Sequence, residues 1–235
     1  MAVDSWSAPA LLGLGLVFGL KHALDADHLA AVATLASEKR TLLQSGVVGA
    51  VWGFGHTVAL LVVGIAVLLL RVEIDGRVTA GLELAVAAML VALGLRSLWR
   101  VARGGRIHVH AHEHDGWVHV HPHLHDAEER RHRHDGHRRP FAVGLVHGLA
   151  GSGALMLLVA ASTPSPWTGL AYIISFGVGS IGGMIAMSAL VSVPAVLTAE
   201  RFRSWNGAVG AAAGVLSIAV GIFLGYESWH SPEWL

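Results

Sequence analysis

Residues 9–36 read PALLGLGLVFGLKHALDADHLAAVATLA, an apolar stretch with one Lys, two His and two Asp near its middle. The stretch is longer than the roughly 20 residues that a helix needs to cross the hydrocarbon of a bilayer. An ionised side chain in that setting costs at least about 2–3 kcal/mol, and it marks a pathway or a site. The sequence therefore predicts a membrane span that carries a functional polar motif.

The composition of the whole chain supports a membrane location. Of 235 residues, 54% are hydrophobic and only 14% are charged, and the mean hydropathy is +0.59, all outside the range of soluble domains. Six apolar stretches are long enough to span a bilayer as helices. They lie near 9–36, 48–70, 80–99, 141–162, 167–196 and 205–227. We predict an all-α integral membrane protein with six transmembrane helices.

The two halves of the chain resemble each other. GLKHALDADHLAAV at 19–32 aligns with GLVHGLAGSGALML at 144–157, which places His22 over His147. WGFGHTVALLVVG at 52–64 resembles ISFGVGSIGGMIA at 174–186, and ALGL at 92–95 matches AVGI at 219–222. Because each half holds three spans, the second half must be inverted, as in many transporters. The predicted organisation is a three-helix repeat at 1–100, a His-rich loop at 101–140 and a second three-helix repeat at 141–235.

The distribution of Lys and Arg predicts the orientation. The connections after the first, third and fifth spans hold thirteen of these cations, including nine arginines from Arg96 to Arg139. The opposite side has only Arg71 and Arg77. Because cytoplasmic loops collect Lys and Arg, we expect a multi-pass protein of the inner membrane, with both termini outside and the His-rich loop in the cytoplasm.

The polar motif of the first span has the chemistry of a metal site. On an ideal helix, at about 100° per residue, His22, Asp25 and His28 lie within about a third of the circumference. Asp27 points elsewhere, so either it has a different partner or the helix unwinds there. Since the chain has no cysteine, only nitrogen and oxygen ligands are available. Imidazoles and carboxylates suit nickel, cobalt, zinc, manganese or ferrous iron.

Two isolated histidines on other spans extend this set of candidate ligands. His56 lies in GFGHTV on the second span and His147 in GLVHGLAGSG on the fourth. The predicted metal residues in the membrane are His22, Asp25, Asp27, His28, His56 and His147. The alternative is a buried polar network that only rigidifies the helix bundle.

These motifs resemble a known family. HALDADH fits the H-x4-D-H signature of the nickel/cobalt transporter family, and FGHTV is similar to the motif on its next span. The resemblance implies metal translocation, with His22, Asp27 and His28 at the motif positions. In the second half, GLVHGLAGSGAL and SFGVGSIGGM lack the acidic motifs of that family. Those segments look more like urease-accessory-type nickel permeases.

The central loop is the other informative segment. Residues 108–137 hold eleven of the sixteen histidines, including two H-x-H-x-H-x-H blocks. His-rich tracts bind metals, so the loop is a predicted secondary metal site, at His108, His110, His112, His114, His119, His121, His123 and His125. We expect it to be disordered without metal, because it has few core residues. Binding should weaken as pH falls through about 6.5, since imidazole must be neutral to ligate.

The function that fits these features best is transport of a divalent transition metal, nickel or cobalt, as the substrate. No Walker A pattern occurs, so we expect no nucleotide, and no enzymatic activity of this chain. A cytoplasmic metallochaperone is an expected partner, and nucleic acid is not. Two alternatives remain, an intramembrane metal-dependent hydrolase and a metal-storing membrane accessory protein. Import and export are both open.

Overall fold

The computed structural model describes residues 8–36, 39, 41–72, 75–103, 107–114, 117–124, 137–150, 159–163, 165–198 and 203–231. The helices are α1 (Ala8–His22), α2 (Ala26–Ala36), α3 (Leu42–Leu68), α4 (Gly76–Ala102), α5 (Arg138–Leu149), α6 (Pro166–Thr198) and α7 (Arg203–Trp229), and residues 159–161 are also helical. Two strands, β1 (Ile107–His114) and β2 (Trp117–Leu124), lie between α4 and α5.

Four of these helices are long and apolar enough to cross a membrane. Their spanning segments are Leu42–Leu68, Gly76–Ala102, Pro166–Val193 and Gly207–Trp229. The pair α1 and α2 also passes as one broken span. The prediction of a multi-pass helical membrane protein is therefore confirmed. The predicted span at 141–162 lies partly outside the described residues, so the count of six stays a prediction, as does the division into repeats.

The first span is broken at the polar motif. α1 ends at His22 and α2 begins at Ala26, with a bend of 60° between them. The amide of Leu24 bonds to the carbonyl of Lys21 and that of Asp25 to the carbonyl of His22, which is the tight i→i−3 pattern that closes a helix. The amide of Leu29 then bonds to Asp25 and starts the next helix. The break turns the motif residues toward the other helices.

Glycines let α1 and α6 lie side by side and parallel. A Cβ at Gly15 would meet the backbone oxygen of Tyr172, and one at Gly19 would meet that of Phe176. The contacts advance along both helices in the same direction, so the two helices are parallel. Such close approach through small residues is the usual basis of helix association in lipid.

The pair α3 and α5 repeats this arrangement. A Cβ at Gly144 would meet the backbone oxygen of Trp52, and one at Gly148 would meet that of His56. These contacts also advance in the same direction along both helices. The close approach fixes α5 directly against the middle of α3.

Two further pairs are antiparallel. α3 packs on α6, where Thr57 donates a hydrogen bond to the carbonyl of Gly177 at 3.3 Å. α4 packs on α7, where a Cβ at Gly94 would meet the backbone oxygen of Gly214, and one at Gly221 would meet that of Ala87. α2 contacts α4, α6 and α7, and so joins the α4–α7 pair to the other helices.

The His-rich loop contradicts the expectation of disorder where the structure describes it. β1 and β2 form an antiparallel hairpin in which His110 lies opposite His121. In both strands, histidine alternates with other residues at every second position, and this period of two favours strands. The alternation therefore outweighs the low-complexity composition, and the described chain is not entirely helical.

Candidate metal centre

Three histidines meet where the break between α1 and α2 faces α3. His22 ends α1, His28 lies in the first turn of α2, and His56 lies near the middle of α3. The ring centroids of His22 and His28 are 4.4 Å apart, and each is 5.2 Å from that of His56. All three side chains are buried, and each offers one ligand nitrogen within 4.8 Å of the other two.

Several ring nitrogens in this group have no hydrogen-bond partner among the described residues. They are Nε2 of His22, Nε2 of His28 and both nitrogens of His56. A buried polar atom left unpaired costs about 1–3 kcal/mol. A metal ion would use these lone pairs together. Tetrahedral bonds of about 2.1 Å place neighbouring nitrogens ~3.4 Å apart.

Each of the two aspartates bonds to one ring nitrogen of a histidine. His22 donates from Nδ1 to Asp25 at 2.8 Å, and His28 donates from Nδ1 to Asp27 at 3.0 Å. A carboxylate can only accept these bonds, so the proton lies on Nδ1 and the lone pair lies on Nε2. The carboxylates thereby fix the tautomer in which Nε2 of both rings can bind a metal.

His147 joins the centre from α5. Its Nε2 donates to the second oxygen of Asp27 at 2.8 Å, and its ring centroid is 4.2 Å from that of His28. Asp27, His28 and His147 form a second group of possible ligands within 4.8 Å of one another. Since His28 belongs to both groups, they are two halves of one centre. In the second group, the Asp27 carboxylate already accepts hydrogen bonds from His28 and His147.

Two aromatic side chains enclose the centre. The ring of Trp52 lies 5.4 Å from that of His28 and 5.8 Å from that of His147. Phe176, from α6, lies 5.3 Å from His22. Sequence reasoning did not identify either residue. For Trp52 a signal was present, because it precedes His56 by four residues and so shares its helix face; nothing comparable distinguishes Phe176.

All six residues predicted for the membrane site lie in this cluster. Asp25 is at its edge, with a half-exposed side chain. The predicted loop histidines lie on the hairpin strands, in another part of the chain, except His125, which is outside the described residues. Their roles in binding metal stay predictions.

The fold and the centre define a multi-pass helical membrane protein with a buried imidazole–carboxylate cluster between its spans. Residues 76–223 match the model of a family described as cytochrome C biogenesis protein transmembrane region. The chain is also 33% identical over 235 residues to urease accessory protein UreH of Bacillus sp. (strain TB-90), covering 96% of this chain and 94% of the relative. The chain therefore belongs to the family described as cytochrome C biogenesis protein transmembrane region. UreH is a relative over nearly its whole length.

Two plant proteins are more distant relatives. The chain is 28% identical to chloroplast protein FOR GROWTH AND FERTILITY 2 and 28% identical to FOR GROWTH AND FERTILITY 1, both of Arabidopsis thaliana. Each alignment covers 91% of this chain, but only 57% and 60% of the respective relatives. No solved structure matches the chain. The family whose model matches differs by name from the nickel/cobalt transporter family that the motifs resemble.

Proposed function

We propose that this protein is a membrane transporter that carries a divalent transition-metal ion, nickel or cobalt, through the centre formed by His22, His28 and His56. The observation that carries the proposal is the convergence of buried ring nitrogens that lack partners. Imidazole is a good ligand for such ions. Three imidazoles leave coordination positions open, and a transported ion must be held weakly enough to leave.

The choice of nickel or cobalt rests on likeness to other proteins. HALDADH and FGHTV resemble motifs of the nickel/cobalt transporter family. The relationship to UreH supports the same choice, because the second half of the chain resembles urease-accessory-type nickel permeases. The donor set itself would also accept zinc.

In this proposal, the histidines bind the ion, and Asp25 and Asp27 position the histidines. Both carboxylates already accept hydrogen bonds from Nδ1 of a ring whose Nε2 is free. Carboxylates behind metal-binding histidines commonly have this role. Asp27 also holds His147, so that it links α2 to α5 beside the ion.

We also propose six spans in two inverted repeats, with the centre near the middle of the membrane. The α1–α6 contact between Gly19 and Phe176 has a counterpart in the α3–α5 contact between Gly144 and Trp52. The contact between Gly179 and Leu16 corresponds in the same way to the contact between Gly55 and Phe141. These matching contacts support the exchange of the two halves, with a second-span alignment shifted by two residues from the sequence alignment. Inverted repeats with a midplane site are common in transporters.

The depth of His56 agrees with a midplane site. It follows the start of α3 at Leu42 by 14 residues and precedes the end at Leu68 by 12. At 1.5 Å per residue, the ring is roughly 20 Å from either end of the helix. With the inner-membrane orientation given by Lys and Arg, an ion that leaves toward the cytoplasm would meet the His-rich hairpin and a metallochaperone there.

Transport can be tested with purified protein in sealed liposomes that contain a fluorescent metal indicator. We expect Ni²⁺ or Co²⁺ flux with the native protein, measured against a panel that includes Zn²⁺ and Mn²⁺. His28→Ala should abolish the flux while leaving the protein inserted, because it removes a ligand shared by both groups. His230→Ala is the matched control, since this histidine is exposed just after α7 and its ring bonds to the backbone carbonyl of Tyr226.

The flux measurement also distinguishes a transporter from a metal-dependent hydrolase and from a metal-storing protein. Neither a metal-dependent hydrolase nor a storage protein moves ions across a sealed bilayer. Absence of flux for every dication, in native protein shown to be folded and inserted, contradicts the proposal. Native flux in His28→Ala would separate transport from this centre.

A further inference from the structure

The hairpin has a feature that composition alone does not give. Its register places three pairs of histidine positions directly opposite each other across the two strands: His108 with His123, His110 with His121, and His112 with His119. Alternate positions of a strand share one face of the sheet, and directly opposite positions do too. The six positions therefore share one face of the hairpin, the histidine face.

The other face has a different composition. Its paired positions are Ile107 with Leu124, Val109 with Pro122, Ala111 with Val120, and Glu113 with Val118. Seven of these eight residues are apolar. A shift of the register by one residue would set histidine positions against these apolar ones, because side-chain direction alternates along a strand. The pattern and the register thus agree, and they separate histidine from apolar positions except at the fourth pair of the histidine face, His114 with Trp117.

We propose that the histidine face is a binding site for two divalent transition-metal ions, distinct from the membrane centre. Directly opposite positions have Cβ atoms about 4.5–5.5 Å apart. Neighbouring histidine positions on one strand are about 6.6 Å apart, which is two residues of strand rise. Two histidine positions of one strand and one of the other are therefore close enough to supply the ligands of one three-imidazole site.

The six paired positions supply two such groups of three. Each ion bridges both strands, so that binding stabilises the register of the hairpin. Three imidazoles leave a coordination position open to water or to a second protein. The hairpin thereby holds ions that can be exchanged, which a closed four-ligand site does not allow. This inference does not depend on transport through the membrane centre.

The test is Ni²⁺ binding to the full chain in detergent, measured by equilibrium dialysis. The hairpin ions are the difference between the native chain and a chain in which a short Gly-Ser linker replaces residues 107–124. We expect a difference of two tightly bound ions. The membrane centre is counted in the shortened chain, so failure of that site and failure of this one give different results.

The decisive variants keep the composition and change only the face. One exchanges neighbours in both strands, as H110A/A111H with V120H/H121V, and so moves the central histidine pair to the apolar face. At least a tenfold loss of affinity for the hairpin ions is expected. The matched control, V109A/A111V, exchanges residues within the apolar face and should bind as the native chain does. Equal affinity and stoichiometry in the face-exchange variant would overturn the proposal, since an unstructured histidine tract would be insensitive to the exchange.

Discussion

Among single residues, the two aspartates determine which atoms of the imidazoles are already bonded. Asp27 accepts hydrogen bonds from His28 and His147, and Asp25 accepts one from His22. The difference between them is exposure, because 46% of the Asp25 side chain is accessible against 14% for Asp27. Water can replace the bond to Asp25 more easily than those to Asp27.

The two carboxylates should therefore respond differently to neutralisation. Asp27→Asn should weaken Ni²⁺ binding by about 10–100-fold, because the amide cannot accept from both rings and one imidazole loses its fixed tautomer. Asp25→Asn should cost less. Competition titration of the chain without the hairpin measures both constants. Equal and small effects would make Asp27 a structural residue only.

Sequence reasoning identified the members of the centre but not their roles. Helical spacing grouped His22, Asp25 and His28, and the structure places all three at or beside the break between α1 and α2. It left Asp27 without a partner. Its partner His147 is 120 residues away, and only the packing of α5 on α3 brings the two together. Local spacing contains no information of that kind.

At the scale of elements, glycines determine where the histidines lie. Gly144 is three residues before His147 on α5, and its Cα lies against the backbone of Trp52 and His56. There is no space for a methyl group at that point. The position of His147 in the centre thus depends on the contact between α5 and α3.

Gly144→Ala should push α5 away from α3 and reduce both Ni²⁺ affinity and the thermal unfolding temperature. The matched control is Gly81→Ala, because nothing lies within 4 Å of a Cβ at that position. Alanine is the better helix former by about 1 kcal/mol, so the control should be neutral or stabilising. If both variants bind and unfold alike, close packing at Gly144 does not set the centre.

The elements also show what the sequence left open. The direction of Asp27 allowed for an unwound helix at the motif, but hydropathy alone could not show that the stretch at 9–36 bends by 60° after His22. The His-rich loop was predicted to be disordered from its composition, whereas the alternation in IHVHAHEH and WVHVHPHL carried the strand signal. Periodicity was the better guide there because a hairpin needs only local pairing.

At the scale of the whole molecule, the orientation in the membrane can be tested with thiol labelling, since the chain has no cysteine. Val72→Cys lies in the connection between α3 and α4, and Arg103→Cys follows α4; both positions are exposed. A membrane-impermeant maleimide should label Val72→Cys in intact cells, and Arg103→Cys only after permeabilisation. The reverse pattern would place the hairpin outside.

In the proposed function, the buried histidines, and not the hairpin, carry the ion across the membrane. The most direct measurement is Ni²⁺ and Co²⁺ flux into sealed proteoliposomes by the chain without residues 107–124, with and without His56→Ala. We expect that the shortened chain still transports the ions, and that His56→Ala stops the flux without affecting insertion of the protein. A folded, inserted shortened chain that carries neither ion, or a His56→Ala derivative that transports at the parent rate, would contradict it.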